Sequence, residues 1–349
     1  MKTEKRKNSA LKKLIPAVAM LATSAVMLST ATYAWFTMNK EVKMTGLNMT
    51  ATVGEGIEIA LAQKNSDGLT FRSSNTALVA PDDNSSESWN SAVVVGNYYE
   101  LIGKLKPVSS IDGVSFFEAT DASNSGKVAD TYVAIDVTDK YASTGFDTMT
   151  TERGTFSDTT TVGTGTQEGY YVDIPVHIRT TKIKSVDKES GEIQCKIKIN
   201  DATPDDVKNN LAQGDTPELY KSIRVAFIGL NGGTFSNICS NNNLIFGATK
   251  DCYRGDYVAV KAAGTGDTAR QAANLTEATI DSDADVSTLT AQDTGLVLPF
   301  AESSGKYGHL DFIVRVWVEG ESTFCNDDEA GQSWNIDLAF SLKEEPTTP

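Results

Sequence analysis

The sequence predicts an all-β protein: an antiparallel, jelly-roll-like β-sandwich with long surface-loop insertions, preceded by a signal peptide. Three observations carry that expectation. Apolar residues recur with period two along many short runs, each bounded by Gly, Asp, Asn or Ser. The polar residues of the main body are mostly Thr, Ser, Asn, Asp and Gly, while the runs are rich in Val, Ile, Tyr and Phe, which suit a pleated surface. Helical periodicity is scarce. Only Pro204 to Leu211, with Asp205 and Asp206 at its start, and more weakly Thr268 to Glu277 read as short helices.

The chain begins with Lys2, Lys5, Arg6, Lys7, Lys12 and Lys13, a basic stretch of the kind that stays on the cytoplasmic side of a membrane. Leu14 to Leu28 follows without a charge, long enough to enter a translocon and short for a stable span. Small residues then fill most of Ser29 to Ala34, and a signal peptidase needs small side chains just before its cut. Thr32 and Ala34 place that cut between Ala34 and Trp35; Ser29 and Ala31 supply a second choice. Residues 1–34 thus read as signal peptide, 35–342 as a β-sandwich region (one elaborated or two packed sandwiches) and 343–349 as a flexible tail. A retained anchor is the other reading, since Leu14 to Phe36 could cross a tilted bilayer. Contact with a membrane is expected only through this segment, and the remainder is expected outside the cell, on its surface or in a surrounding matrix.

The whole chain has 31 basic and 46 acidic residues, net −15. Cleavage removes six basic residues and Glu4, leaving 25 against 45, net −20. Such a surface repels nucleic acid and anionic lipid, so nucleic-acid binding is not expected.

Strand candidates follow in order. Val42, Met44, Leu47, Met49, Ala51 and Val53 share one face if the alternation slips at Gly46, as at a β-bulge. Ile57, Ile59 and Leu61 continue it after Gly54-Glu55-Gly56. Further runs are 132–137, 170–178, 193–199, 223–230, 257–260, 296–300, 312–318 and 334–342. Three polar stretches, 65–90, 146–168 and 264–292, read as long surface loops.

The four cysteines, Cys195, Cys239, Cys252 and Cys325, would meet an oxidising compartment and are disulfide candidates with three possible pairings. Joining Cys239 to Cys252 closes a short loop and leaves Cys195 and Cys325 to tie distant parts together. Asp281, Asp283 and Asp285 match the first half of a calcium loop, but Val286 and Gln292 stand where its glycine and glutamate belong. Calcium is therefore a weak candidate, and no other cofactor is expected.

Little else suggests chemistry. His177 and His309 are the only histidines; the first alternates with Ile174, Val176 and Ile178 and is expected to face solvent, the second to sit in a turn after Gly308. A catalytic histidine needs an orienting carboxylate and a nucleophile, and neither stands nearby in sequence. No nucleophile elbow, metalloprotease motif or phosphate loop is present. Catalytic residues: none are expected, and Arg254-Gly255-Asp256 reads as a chance match to an adhesion tripeptide.

The segment after the cut is the most informative. Trp35, Phe36, Met38, Val42 and Met44 run from the cleavage site straight into an extended alternating stretch. It reads equally as the first strand of the chain's own sandwich or as a donor strand that pairs with an open edge on the next subunit.

The junction Thr32-Tyr33-Ala34-Trp35-Phe36-Thr37-Met38-Asn39 resembles the exported TasA/camelysin family of fibre proteins from Gram-positive bacteria, and Trp334 to Ser341 is similar to that family's closing amphipathic strand. The resemblance covers the two ends of the chain. It implies a jelly-roll β-sandwich that self-associates by strand donation into fibres of a biofilm matrix. The metallopeptidase label of the camelysin branch is not carried over, because this chain has no zinc-binding motif. The function expected is thus a secreted, non-enzymatic structural subunit of an extracellular fibre or biofilm matrix, with polymers of the surface or matrix as further partners. The alternative is a cell-surface adhesin or glycan-binding module using its long loops and aromatics such as Tyr98 and Tyr99.

Overall fold

The structure, a computed structural model, describes residues 42–45, 48–61, 63–65, 68–70, 78, 80–85, 88–95, 102–105, 107–110, 112–119, 132–134, 146–147, 155–156, 167–211, 215–232, 234–239, 244–248, 275–280, 282–320, 322–325 and 332–343. The signal segment, its cut at Ala34 and Trp35, the donor-strand residues Phe36 and Met38, Cys252, Asp281, Tyr98, Tyr99 and the expected strand 257–260 lie outside the described residues.

The protein is mostly β, and two mixed sheets pack together. Nine strands build the core: β1 (Asn48–Val53), β2 (Ile57–Ala60), β3 (Ala92–Val94), β4 (Tyr171–Thr180), β5 (Ser190–Asp201), β6 (Ile223–Asn231), β7 (Gln292–Pro299), β8 (Gly308–Val318) and β9 (Trp334–Leu342). The smaller sheet runs Thr279–Ile280, β5, β9, β1, β3, with β7 also on β5. The larger runs Phe146–Asp147, β4, β8, β6, Ile245–Gly247, Leu275–Glu277; β2 joins β4, and Thr234–Asn237 joins β6.

Period-two patterning decides which side chains meet between the sheets. From the larger sheet come Val172, Ile174, Val176 and Ile178, Val225 and Phe227, and Phe312, Val314 and Val316. Met49, Ala51, Ile193, Cys195, Ile197, Ile199, Ile336, Leu338 and Phe340 face them from the smaller one. Phe340 links the layers, with its ring 5.6 Å from both Phe227 and Phe312.

Several expectations change. The sheets are mixed rather than antiparallel: β1 runs parallel to β9, and Thr279–Ile280 runs parallel to β5. Alternation reads the same in either direction, so it carries no information on strand polarity. Leu275–Glu277, at the end of the second helical candidate, is a strand; the first candidate is one short helix, α1 (Asp205–Lys208).

His177, expected to face solvent, is fully buried. It does lie on the polar face of β4, but that face is covered too. A second apolar cluster, with Val108, Phe116, Tyr170, Ala226, Ile228, Ile313 and Trp317, lies on the outer side of the larger sheet. His309 is not in a turn but is the second residue of β8.

Candidate functional site

The N-terminal strand and the outer face of the larger sheet are the two places where chemistry and assembly can be sought. β1 is an interior strand of the smaller sheet. It pairs in parallel with β9 from Asn48–Asn335 to Val53–Phe340, and antiparallel with β3 on its other side. Met49 and Ala51 are buried in the core, and Val53 packs against it. Gly54 then bonds to the Phe340 carbonyl at 2.8 Å, and the chain turns through Gly56 (φ +81°) into β2 in the other sheet. Only a glycine adopts such a φ without steric cost. Val42–Thr45, which holds the donor-strand residues Val42 and Met44, pairs with Ile102–Leu105 of the same chain.

On the larger sheet, β4 and β8 place their polar residues opposite one another. The register pairs Asp173 with Arg315, His177 with Asp311 and Arg179 with His309. Arg315 donates from Nε and Nη2 to the two carboxylate oxygens of Asp173 at 2.6 and 2.7 Å, a fork-to-fork pair with both side chains 1% exposed. Its guanidinium also lies 4.0 Å from the Tyr171 ring centroid and 4.6 Å from that of Phe235, and Nη1 donates to the Gly113 carbonyl at 3.1 Å. A desolvated cation is tolerable here because its donors and π faces are engaged together.

Further along the seam, Nδ1 of His177 lies 2.7 Å from Oδ1 of Asp311, while its Nε2 is buried with no hydrogen-bond partner among the described residues. Arg179 then lies between Trp89 and Tyr307, 4.4 and 3.9 Å from their ring centroids. It donates to Glu58 at 2.8 Å and to the Asp83 carbonyl at 2.7 Å, and Asp83 also pairs with His309 Nε2 at 3.0 Å. This knot fastens the 82–90 segment across the sheet edge.

His177 with Asp311 is the base-and-orienter half of a hydrolytic arrangement. No hydroxyl or thiol reaches Nε2 among the described residues. Both orienting carboxylates come from across the fold and were missed in the sequence. A signal was there: Asp173 and His177 on one run complement Arg315 and Asp311 read backwards on another, as an antiparallel pair requires.

Cys195 and Cys239 are thiols, so neither the expected Cys195–Cys325 bridge nor the expected Cys239–Cys252 bridge is formed. Both side chains are enclosed in the core, Cys195 on β5 opposite Phe340, whereas Cys325 is half-buried in the segment after β8. Burial pushes the Cys239 thiol up to about 12 and raises Cys195 well above its ordinary range.

The acidic segment lies along the outer face of β5. Lys196 reaches the Ser287 carbonyl, Lys198 the Ala284 carbonyl at 3.0 Å and Asn200 the Ser282 carbonyl at 2.8 Å. Asp285 caps the turn at Val286–Thr288 by accepting from Ser287 N at 2.8 Å. The Ser287 hydrogen bonds, aided by the Lys198 ammonium, hold its carboxyl below the usual range. One of the three calcium candidates is therefore engaged as a cap, and Asp283 is exposed. Among the described residues no three His, Cys, Asp or Glu side chains gather as a metal site.

Fold and site together define a mostly-β protein of two packed mixed sheets, with a polar seam buried on the outer face of the larger one. Comparison with family models, with curated proteins and with solved structures finds no match to this chain.

Proposed function

We propose that this protein is an exported, non-enzymatic structural subunit of an extracellular fibre or matrix, a jelly-roll sandwich that assembles by exchange of its N-terminal strand. The observation that carries the reading is the place of β1. It is the first strand of the core, yet it lies inside the smaller sheet beside β9, the last strand. Its parallel partner lies nearly the whole chain away, so the same strand from a neighbouring copy makes the same hydrogen bonds and buries the same Met49 and Ala51. Gly54-Glu55-Gly56 is a short hinge of the sort that invites exchange, and the similarity of both chain ends to the TasA/camelysin family points the same way.

Electron microscopy of the secreted protein tests this. Filaments are expected from the mature protein, and monomers from protein lacking Trp35 to Val53, the segment that ends in β1. If both stay monomeric at high concentration, strand exchange is wrong. The Trp89–Arg179–Tyr307 stack favours a second reading, a glycan-binding surface module. Saccharide binding that disappears with Tyr307→Ala would then move that reading ahead.

A further inference from the structure

The chain has two histidines, 132 residues apart in sequence, and the fold sets both on the covered outer face of the larger sheet. β4 and β8 pair with His177 opposite Asp311 and Arg179 opposite His309, so the two histidines are diagonal neighbours on adjacent strands. Backbones of such neighbours lie about 7–8 Å apart, within reach of aromatic side chains.

Each ring has one nitrogen on a carboxylate and the other bare. Nδ1 of His177 lies 2.7 Å from Asp311, and Nε2 of His309 lies 3.0 Å from Asp83. His177 Nε2 and His309 Nδ1 are both enclosed, and neither has a hydrogen-bond partner among the described residues. A neutral imidazole that donates to a carboxylate keeps a lone pair on its other nitrogen. The carboxylate behind the ring fixes its orientation and makes that lone pair more basic, which is how proteins prepare a histidine to ligate a metal ion. Charge favours a cation as well. Glu58, Asp83 and Asp311 meet this stretch against Arg179 alone, so with neutral rings two negative charges stand uncompensated among the described residues.

We propose that His177 Nε2 and His309 Nδ1 together bind one divalent ion of the zinc or copper class. Imidazole suits these metals, whereas calcium takes oxygen ligands. Two imidazoles fall short of the four ligands of a closed structural zinc site, in keeping with the lack of any three-ligand group among the described residues. Water then completes the shell, and the ion exchanges. Its role is structural: His309 shares Asp83 with Arg179, which Trp89 and Tyr307 enclose, so an ion on both rings fastens the 82–90 segment to β4 and β8. The clamp is separate from the fibre reading and does not depend on assembly. Protons on both rings would balance the same charge, which makes metal loading the measurement that decides.

The test uses the secreted protein without a histidine tag, stripped by chelator and titrated with ZnCl₂ or CuCl₂. One ion per chain is expected, with a rise in melting temperature of about 2–4 °C or more at saturation that chelator reverses. His309→Gln, melting like the metal-free wild type, is expected to bind at least tenfold more weakly. Pulsed EPR of the copper-loaded wild type reads the site directly. No other histidine exists in the chain, so coupling to two imidazoles at one copper can come only from this pair. Copper that shows fewer than two imidazoles overturns the site, whatever the variant does. Zinc that leaves the melting temperature unchanged, or binds His309→Gln as tightly as wild type, overturns it too.

Discussion

His177 and Asp311 face each other across β4 and β8, with Nδ1 of the ring 2.7 Å from the Asp311 carboxylate and Nε2 enclosed without a partner among the described residues. An ionised carboxylate only accepts, so Nδ1 is the donor and Nε2 is the buried atom left without a partner among the described residues. Asp311 itself is 31% exposed, so the pair joins a dry ring to a carboxylate that touches water.

Removing the carboxylate therefore leaves both ring nitrogens buried and unsatisfied. Asp311→Ala is expected to lower stability by about 1–3 kcal/mol, read as a shift in the urea midpoint at constant slope. Adding His177→Leu to that variant recovers part of the loss, because no buried polar ring remains. A double variant weaker than the sum of its parts contradicts this account.

The Asp173–Arg315 pair is sealed on both sides, so taking away one partner strands a buried charge. Asp173→Leu or Arg315→Met alone is expected to cost about 3–5 kcal/mol, and the two together far less. Equal losses for the single and double variants would show that the pair's packing matters and its charge does not.

The core thiols link stability to alkaline pH. Cys239 titrates near 12 in the folded protein against an ordinary 9.0, so its raised value adds stability that is whole below pH 9. As pH rises from 9 towards 12 the unfolded chain releases a proton that the folded chain keeps, and stability falls. Cys239→Ala is expected to flatten that fall. In the folded protein at pH 8, Cys195 and Cys239 are expected to resist alkylation until denaturant is added, which mass spectrometry of the alkylated protein reads directly.

Gly308 opens β8 against the end of β7. A Cβ built there would lie 1.8 Å from the Pro299 carbonyl oxygen, so Gly308→Ala must push the strands apart, at about 3 kcal/mol or more. Gly305 has φ +77° and nothing within 4 Å, so Gly305→Ala adds only backbone strain, about 1 kcal/mol. Thermal melts of the two variants rank them, and a milder Gly308→Ala would show that the strands yield easily.

Strand positions were largely legible. Trp334–Leu342 matches its sequence reading at both ends, and Ile223–Asn231 and Ser190–Asp201 extend theirs by a few residues. Their alternation reports burial of one face, a local property written into every second residue. Buried Met49 and Ala51 were legible for the same reason. The candidate site was not. Asp311 orients His177 from 134 residues away, and Asp83 reaches His309 and Arg179 from a segment that read only as a polar loop.

The sequence by itself determined that this chain is built from strands, which residues of each strand face the core, and that the whole carries a strong negative charge. Those properties depend on residue type and near-neighbour spacing alone. Only the tertiary structure decided that β1 runs parallel to β9 inside the smaller sheet and that the polar face of β4 is covered. Each of these depends on which distant strands pair and in which direction, and alternation is silent on that because it is the same for either polarity and for any partner.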